Sequence, residues 1–283
     1  MNPRSNSAPA RSCAERRSAF SAVAGALTLF GVAALAARPA AAGPSEAKAR
    51  ALLDNLSKQV GGMDDLHRLK DVEYTYIYRT PDGKMDLSVE RYIFDGEHSC
   101  ARYIVHEVFV SPGVEGDVVQ CHVGGETEVS IGGVVSGDEK VIGLAKFLRP
   151  TNYYWFAMMM KLKDPGVQAR YTGRRTVEGT DYAMVDVGFG DETSDRYLLY
   201  IHPQTGLVDR FLFTVKALGV TEPFLMEVAY ESVDGVRLPT RRRYTPATWE
   251  GASKGQPWTA EIMTSIHFNN GFSPSSLMAD LAR

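Results

Sequence analysis

Cysteine is scarce, with three in 283 residues, at positions 13, 100 and 121. Three are too few for a disulfide-built scaffold, and none sits beside an evident base, so no thiol nucleophile suggests itself. A G-x-S-x-G elbow is absent. No stretch after residue 42 is long and apolar enough to span a membrane. No solenoid or propeller repeat recurs. No helix of adequate length separates successive strands, which excludes a parallel doubly wound sheet. Basic excess is also lacking, since the formal charge is −3, and nothing would draw the chain to nucleic acid.

What is present begins with an export pattern. Arg11, Arg16 and Arg17 form a basic leader, Ala19 to Ala37 an uncharged apolar run, and Ala40-Ala41-Ala42 the small residues a signal peptidase needs. An uncleaved anchor is the competing reading. Ala and Gly dominate the run, with Ser21 and Thr28 inside it, so it inserts poorly as a membrane span. Arg16-Arg17 suggests twin-arginine export, but Phe20 falls one position late for that signal. Cys13 precedes the run and is no lipid-attachment site. General secretion is expected, with residues 1–42 as signal peptide and 43–283 as a single periplasmic domain. Cleavage removes five arginines and one glutamate, which takes the net charge from −3 to −7.

Periodicity predicts an amphipathic helix from Ser45 to Val60, with Leu52, Leu53, Leu56 and Val60 on one side and Gly61-Gly62 as its stop. A short turn over 64–69 leads into an antiparallel meander, whose strands at 72–79 and 85–94 flank Pro81-Asp82-Gly83. Strands 101–110 and 117–123 read as a hairpin around Ser111-Pro112-Gly113, in which opposed residues sum to about 228. Cys121 then faces Glu107 and Cys100 faces Glu128, a register that does not bring the two cysteines within disulfide reach unless a bulge intervenes. Helical spacing over 138–148 is interrupted by Pro150, and a second apolar helix follows over 151–163. Strands resume at 167–176, 181–189, 196–202, 207–216, 224–233, 236–244 and 260–269, and 277–281 reads as a closing helical turn.

Three segments carry a resemblance. Val123-Gly124-Gly125-Glu126-Thr127-Glu128-Val129-Ser130 resembles a D-G-x-x-x-W-x-Y strand entry, with Gly124 and Glu128 in place of the acidic residue and the tryptophan. Tyr200 to Leu207 resembles an I-D-P-x-T-G-L turn with His202 in the acidic position, and Val233 to Pro239 a V-D-G-x-x-L-P hairpin. Together with the layout they resemble the LolA/LolB-like superfamily of periplasmic lipoprotein carriers. The segment FLRPTNYYWFAMMMKLKDPG is similar to a branch of exported bacterial proteins placed near it. The resemblance implies an α+β fold: a curved antiparallel sheet forming an incomplete β-barrel around an apolar cavity, with an N-terminal helix and a central helical plug.

Candidate ligand-binding residues follow from apolar patterning. Trp155, Phe156, Met158, Met159 and Met160 lie on a helix that is apolar on nearly every side, and such a helix is enclosed or covers something apolar. Methionine adapts to flexible acyl chains, and it fills gaps in ordinary cores equally well. Tyr74, Tyr76 and Tyr78 share one strand face, and Phe211, Phe213, Phe224 and Met226 are further candidate walls. His106 and His122 face each other in the 228 register, but two histidines without a third ligand make a weak site, and neither metal nor cofactor is expected. Asp186, Asp191, Glu192 and Asp195 lack the spacing of a calcium loop and read as a solvated loop. Arg241 and Arg243 share one face and Arg242 takes the other, in salt-bridging or edge-protecting roles. The expected function is non-enzymatic: shelter of a lipid or acyl group, with a lipid or acylated protein as partner. The alternative is an envelope sensor or protein-interaction module whose partner is another envelope protein. A third reading is a hydrolase using acidic or histidine residues gathered by the fold.

Overall fold

A computed structural model describes residues 43–190 and 193–279. The expected signal peptide, Asp191, Glu192 and residues 280–283 lie outside the described residues. No described helix is long and apolar enough to cross a membrane.

Pro44 opens α1 (Pro44–Val60), where its missing N–H leaves no bond unmade, and Glu46 accepts from the Gly43 N–H at 3.0 Å. Ala49, Leu53, Leu56 and Val60 are its buried stripe. Gly61 ends the helix at φ 100, and any Cβ there would lie 3.1 Å from Val236 Cγ1, so glycine permits both the turn and the approach. A short α2 (Gly62–Arg68) leads into the sheet.

The first meander comprises β1 (Asp71–Arg79), β2 (Met85–Ile93), β3 (His98–His106), β4 (Val118–Val123), β5 (Glu126–Ile131) and β6 (Val134–Val135). After α3 (Glu139–Lys161), a second runs through β7 (Gln168–Val177), β8 (Thr180–Gly188), β9 (Arg196–Ile201), β10 (Val208–Val215), β11 (Val220–Val233), β12 (Val236–Pro246) and β13 (Thr259–Phe268), before α4 (Pro274–Met278). All thirteen strands form one antiparallel sheet, and the two meanders join where β1 pairs with β13. The ends β6 and β7 do not pair with each other, so the barrel stays open. This is the expected α+β half-barrel.

Helices α1 and α3 cover one face, here called inner: α1 rests on β7 and β12, and α3 on β3, β4, β5 and β12. The largest core cluster lies between them and the sheet. On the outer face, the segment following β12 packs Trp249 and Trp258 over Tyr182, Tyr200, Leu212 and Leu225. Gly251 in that segment has φ +87, and a Cβ would meet the Tyr200 hydroxyl, so the position is closed to larger residues.

Two expectations are corrected. Pro150 does not interrupt the central helix; α3 runs 23 residues through it. The carbonyl it leaves unbonded belongs to Lys146, which like Pro150 is exposed to water, and Thr151 Oγ1 donates to Phe147 O at 2.7 Å. The cost is therefore modest against the packing on both sides of the proline.

The β3–β4 register is also different. Opposed residues sum to 221, not 228: Ser99 faces His122, and Cys100 faces Cys121. Residues 107–117 are not a tight hairpin turn but a loop. Asp86 accepts from the N–H groups of Val108 and Phe109 (2.8 and 2.9 Å). The His106 ring nitrogens lie 3.2 and 2.9 Å from the carbonyls of Ser111 and Gly116. Cys100 and Cys121 form a disulfide with Cα atoms 4.1 Å apart. Leu277 of α4, with Phe272 and Met278, covers it on the outer face. The approach to α4 is fixed by Asp71, whose carboxylate accepts from the N–H groups of Asn270, Gly271 and Phe272.

A loop closed across a separation of 21 residues gives a disulfide worth about 3 kcal/mol. Reductant is therefore expected to lower the urea midpoint by that equivalent, and Cys100→Ser/Cys121→Ser to reproduce the loss. A midpoint indifferent to reductant in the parent protein contradicts the pairing.

Candidate functional site

The inner face divides into a polar half and an aromatic half, and α3 lies over both. In the polar half, Arg149 of α3 and Glu90 of β2 are each fully buried. Arg149 donates to the Glu90 carboxylate at 2.6 and 3.3 Å and to the Tyr103 hydroxyl at 2.6 Å. Ser88 and Tyr92 also donate to Glu90, and Tyr92 meets the Tyr74 hydroxyl at 2.9 Å. Burial is the largest single influence and works against the guanidinium charge, but Glu90, Tyr103 and Tyr92 together outweigh it, and the Arg149 pKa is raised. A second buried arginine acts from the sheet side. Arg242 of β12 pairs with Glu261 of β13 at 2.7 Å and donates to the Trp155 carbonyl of α3 at 3.0 Å. Two arginines thus pin α3 to the sheet.

The aromatic half is a chain of ring contacts. Phe109 meets Tyr78 at 5.0 Å between centroids, Tyr78 meets Tyr244 at 6.4 Å, and Tyr244 meets Phe224 at 5.2 Å. Phe224 meets Phe213 at 5.6 Å, and Phe213 meets Trp155 at 5.3 Å. The Tyr78 and Tyr244 hydroxyls are bonded to each other. Burial pushes the Tyr244 phenol up to about 12 and that of Tyr78 higher still. An open crevice of about 430 Å³ lies beside the middle of this chain, walled by Tyr244 and Phe224 together with Pro81, Asp82, Pro246, Gln256, Pro257 and Thr259. Beyond Trp155 the rings continue through Tyr197 to a second crevice of about 310 Å³, lined by Tyr154, Phe189, Tyr197, Asp195, Thr193, Ser194 and Ala217. Burial raises the Asp195 pKa, against the Lys216 N–H (2.7 Å) and the Thr214 hydroxyl (3.2 Å), which both donate to its Oδ1.

Of the twelve residues named from the sequence, eleven fall in one core cluster: Tyr74, Tyr76, Trp155, Phe156, Met158, Met159, Met160, Phe211, Phe213, Phe224 and Met226. Tyr78 joins it through Tyr244. The three methionines are 1–3 % exposed and line neither crevice. Only Phe224 of the twelve lines one. Tyr244, Tyr154, Phe189 and Tyr197, which do line them, and the buried Arg149–Glu90 pair were not selected by periodicity.

The other candidates resolve into structural pairings. His106 and His122 do not face each other: His106 lies opposite Asp86, and His122 bonds to Thr127 Oγ1 at 2.8 Å. No group of three metal-ligating side chains occurs among the described residues. Asp186 holds Arg196 at 2.7 Å. Arg241, Arg242 and Arg243 pair with Glu231, Glu261 and Glu227. The salt-bridging role holds and the edge-protecting one does not, because β12 lies between β11 and β13.

No curated protein matches the chain. Residues 143–224, from α3 into β11, match a model described as a family of unknown function (DUF6503). Among solved structures, the chain is similar to a DUF1329 family protein from Desulfovibrio piger ATCC 29098. That likeness has 13% identity and TM-score 0.47, and covers 83% of this chain and 99% of that one. A putative outer membrane lipoprotein-sorting protein domain from Vibrio parahaemolyticus is similar at 10% identity and TM-score 0.47, covering 84% and 100%. LolA superfamily protein NE2245 from Nitrosomonas europaea is similar at 12% identity and TM-score 0.46, covering 78% and 94%. The likeness is one of fold.

Proposed function

We propose that this protein is a carrier-type binding protein of the periplasm, which shelters a lipid or acyl group against the aromatic half of its inner face. The observation that carries the reading is the unbroken row of rings from Phe109 through Tyr78, Tyr244, Phe224 and Phe213 to Trp155. Its inner part, from Phe224 through Phe213 to Trp155, leads from an open crevice of about 430 Å³ at Tyr244 and Phe224 to the underside of α3. That volume is ordinary for a ligand pocket, and each Å² of apolar surface removed from water there contributes about 25 cal/mol. The methionines lie deeper, as the packed floor a longer chain would have to displace. A binding role suits the titratable groups better than catalysis does. Glu90 and Glu261 are each held by a buried arginine and Asp71 and Asp86 by backbone N–H groups, and among the described residues each crevice is lined by a single carboxylate, Asp82 or Asp195.

Lipid extraction from the purified protein followed by mass spectrometry, together with fluorescent fatty-acid uptake, tests the reading. Saturable uptake is expected, and Phe224→Asp, which puts a charge in a half-exposed apolar wall, should weaken it by about tenfold or more. A lipid-free extract combined with no uptake removes the carrier reading. It leaves the interaction module, which is favoured independently by the exposed valines of edge strand β6, Val134 at 71 % and Val135 at 62 %.

A further inference from the structure

The crevice beyond Trp155 differs in kind from the one under Phe224. Three aromatic rings gather there from separate parts of the chain: Tyr154 from α3, Phe189 from the β8–β9 connection and Tyr197 from β9. The Phe189 ring stands at 81° to both tyrosines, with centroids 6.0 Å from Tyr154 and 5.3 Å from Tyr197. The two tyrosine rings lie within 20° of parallel, 6.5 Å apart. Among the described residues one carboxylate, Asp195, shares the wall. Its two hydrogen bonds, from Thr214 and from the Lys216 N–H, both fall on Oδ1.

Each element of this wall disfavours a different ligand. A fatty-acid carboxylate meets a second carboxylate. An uncharged chain gains nothing from Asp195 and covers its carboxylate from water. A divalent cation seeks six or more oxygens, and among the described residues the crevice offers one carboxylate. An alkylated ammonium suits the rings and the carboxylate: its charge is attracted by ring faces and by Asp195, on which the Lys216 charge also acts, and its methyl groups shed water cheaply. We propose that the crevice formed by Tyr154, Phe189, Tyr197 and Asp195 is a binding site for an organic cation of trimethylammonium type. The proposal goes beyond the lipid reading, because it requires no acyl chain.

Two sources of such a group exist, a free choline-like solute and a choline lipid headgroup, and calorimetry separates them. Choline and tetramethylammonium are titrated into the purified protein at low salt, with 3,3-dimethyl-1-butanol as the uncharged isostere of choline. Saturable binding of both cations is expected, with choline favoured over the isostere by about tenfold or more. Tyr154→Leu should weaken choline binding by about tenfold, whereas Tyr154→Phe should retain it, since the ring and not the hydroxyl makes the contact. Asp195→Asn, which preserves the Oδ1 acceptor, should weaken binding severalfold, an effect that vanishes at high salt. Lysophosphatidylcholine bound at least about tenfold more tightly than both choline and lysophosphatidylglycerol assigns the headgroup, and affinity equal to that of choline assigns the free solute; either result supports the site. Absence of saturable cation binding overturns the proposal. So does equal binding of choline and its isostere, or parent affinity in both Tyr154→Leu and Asp195→Asn. Fatty-acid uptake is read separately, so loss of one activity does not decide the other.

Discussion

Arg149→Met is expected to lower the unfolding free energy by about 3–5 kcal/mol, the usual cost of removing one partner from a buried ion pair. Arg149 and Glu90 are both fully buried, so solvent screening offers no relief. The guanidinium supplies two of the four bonds the Glu90 carboxylate accepts; only the Ser88 and Tyr92 hydroxyls remain without it. The Tyr103 hydroxyl loses the guanidinium as well and keeps only its bond with Asn152. Methionine matches the arginine stem and leaves only the space of the guanidinium head, so the loss measured is chiefly electrostatic. Adding Glu90→Leu should return at least half of the stability, because an apolar pair of similar volume is often as stable as the ion pair it replaces. Urea midpoints of the parent, the two single variants and the double variant close the cycle. An Arg149→Met midpoint within about 0.5 kcal/mol of the parent means that water reaches the pair and the interior is not dry.

The pair also shows where sequence patterning stops being informative. Periodicity placed α1 and most strands to within a few residues, because β8 to β13 are joined by turns written in Gly, Asp and Pro. It failed where a loop carries its own structure. Residues 107–117 contain a plausible Pro-Gly turn, yet Asp86 and His106 gather this loop from outside it, and the count of opposed residues moved from 228 to 221. That shift of seven separates a disulfide from two cysteines facing glutamates. Pro150 misled for a different reason: whether a proline breaks a helix depends on whether water can reach the carbonyl it frees, which no local pattern records. Arg149 adjoins that proline in a stretch of large apolar residues, and charge alone marks it as exposed until Glu90, 59 positions earlier, is brought against it. The site was legible as a set of apolar residues, but not in its division between packed floor and open wall. Met158, Met159 and Met160 carry the strongest sequence signal and prove to be core. Tyr154, Phe189 and Tyr197 carry almost none, because only the seating of α3 on the sheet brings 154 near 189 and 197.

Alkaline pH is expected to unfold the protein cooperatively between about pH 10 and 11. Of thirteen tyrosines, eleven have raised pKa values, in each case chiefly by burial. The direction follows from proton binding. Below pH 10 both the folded and the unfolded chain keep the phenolic protons, and the stabilisation is fully present. Above pH 10 the unfolded chain releases protons that the folded chain retains, so the folded state is the more protonated and stability falls as pH rises. A phenol that ionises only on unfolding removes about 1.4 kcal/mol for each pH unit above 10. Tyr74, Tyr92, Tyr103 and Tyr197 are each at most 4 % exposed, and these four alone remove about 6 kcal/mol by pH 11. The stability of a typical domain is about 5–15 kcal/mol, and the remaining raised phenols act in the same direction. Phenolate absorbance should therefore stay low and then rise in one step together with loss of the β-sheet circular dichroism signal. A gradual rise of absorbance with the sheet signal intact would mean that hydroxide reaches the inner face without unfolding it. The aromatic half would then be open to solvent along its length, and an apolar ligand would gain little by entering it.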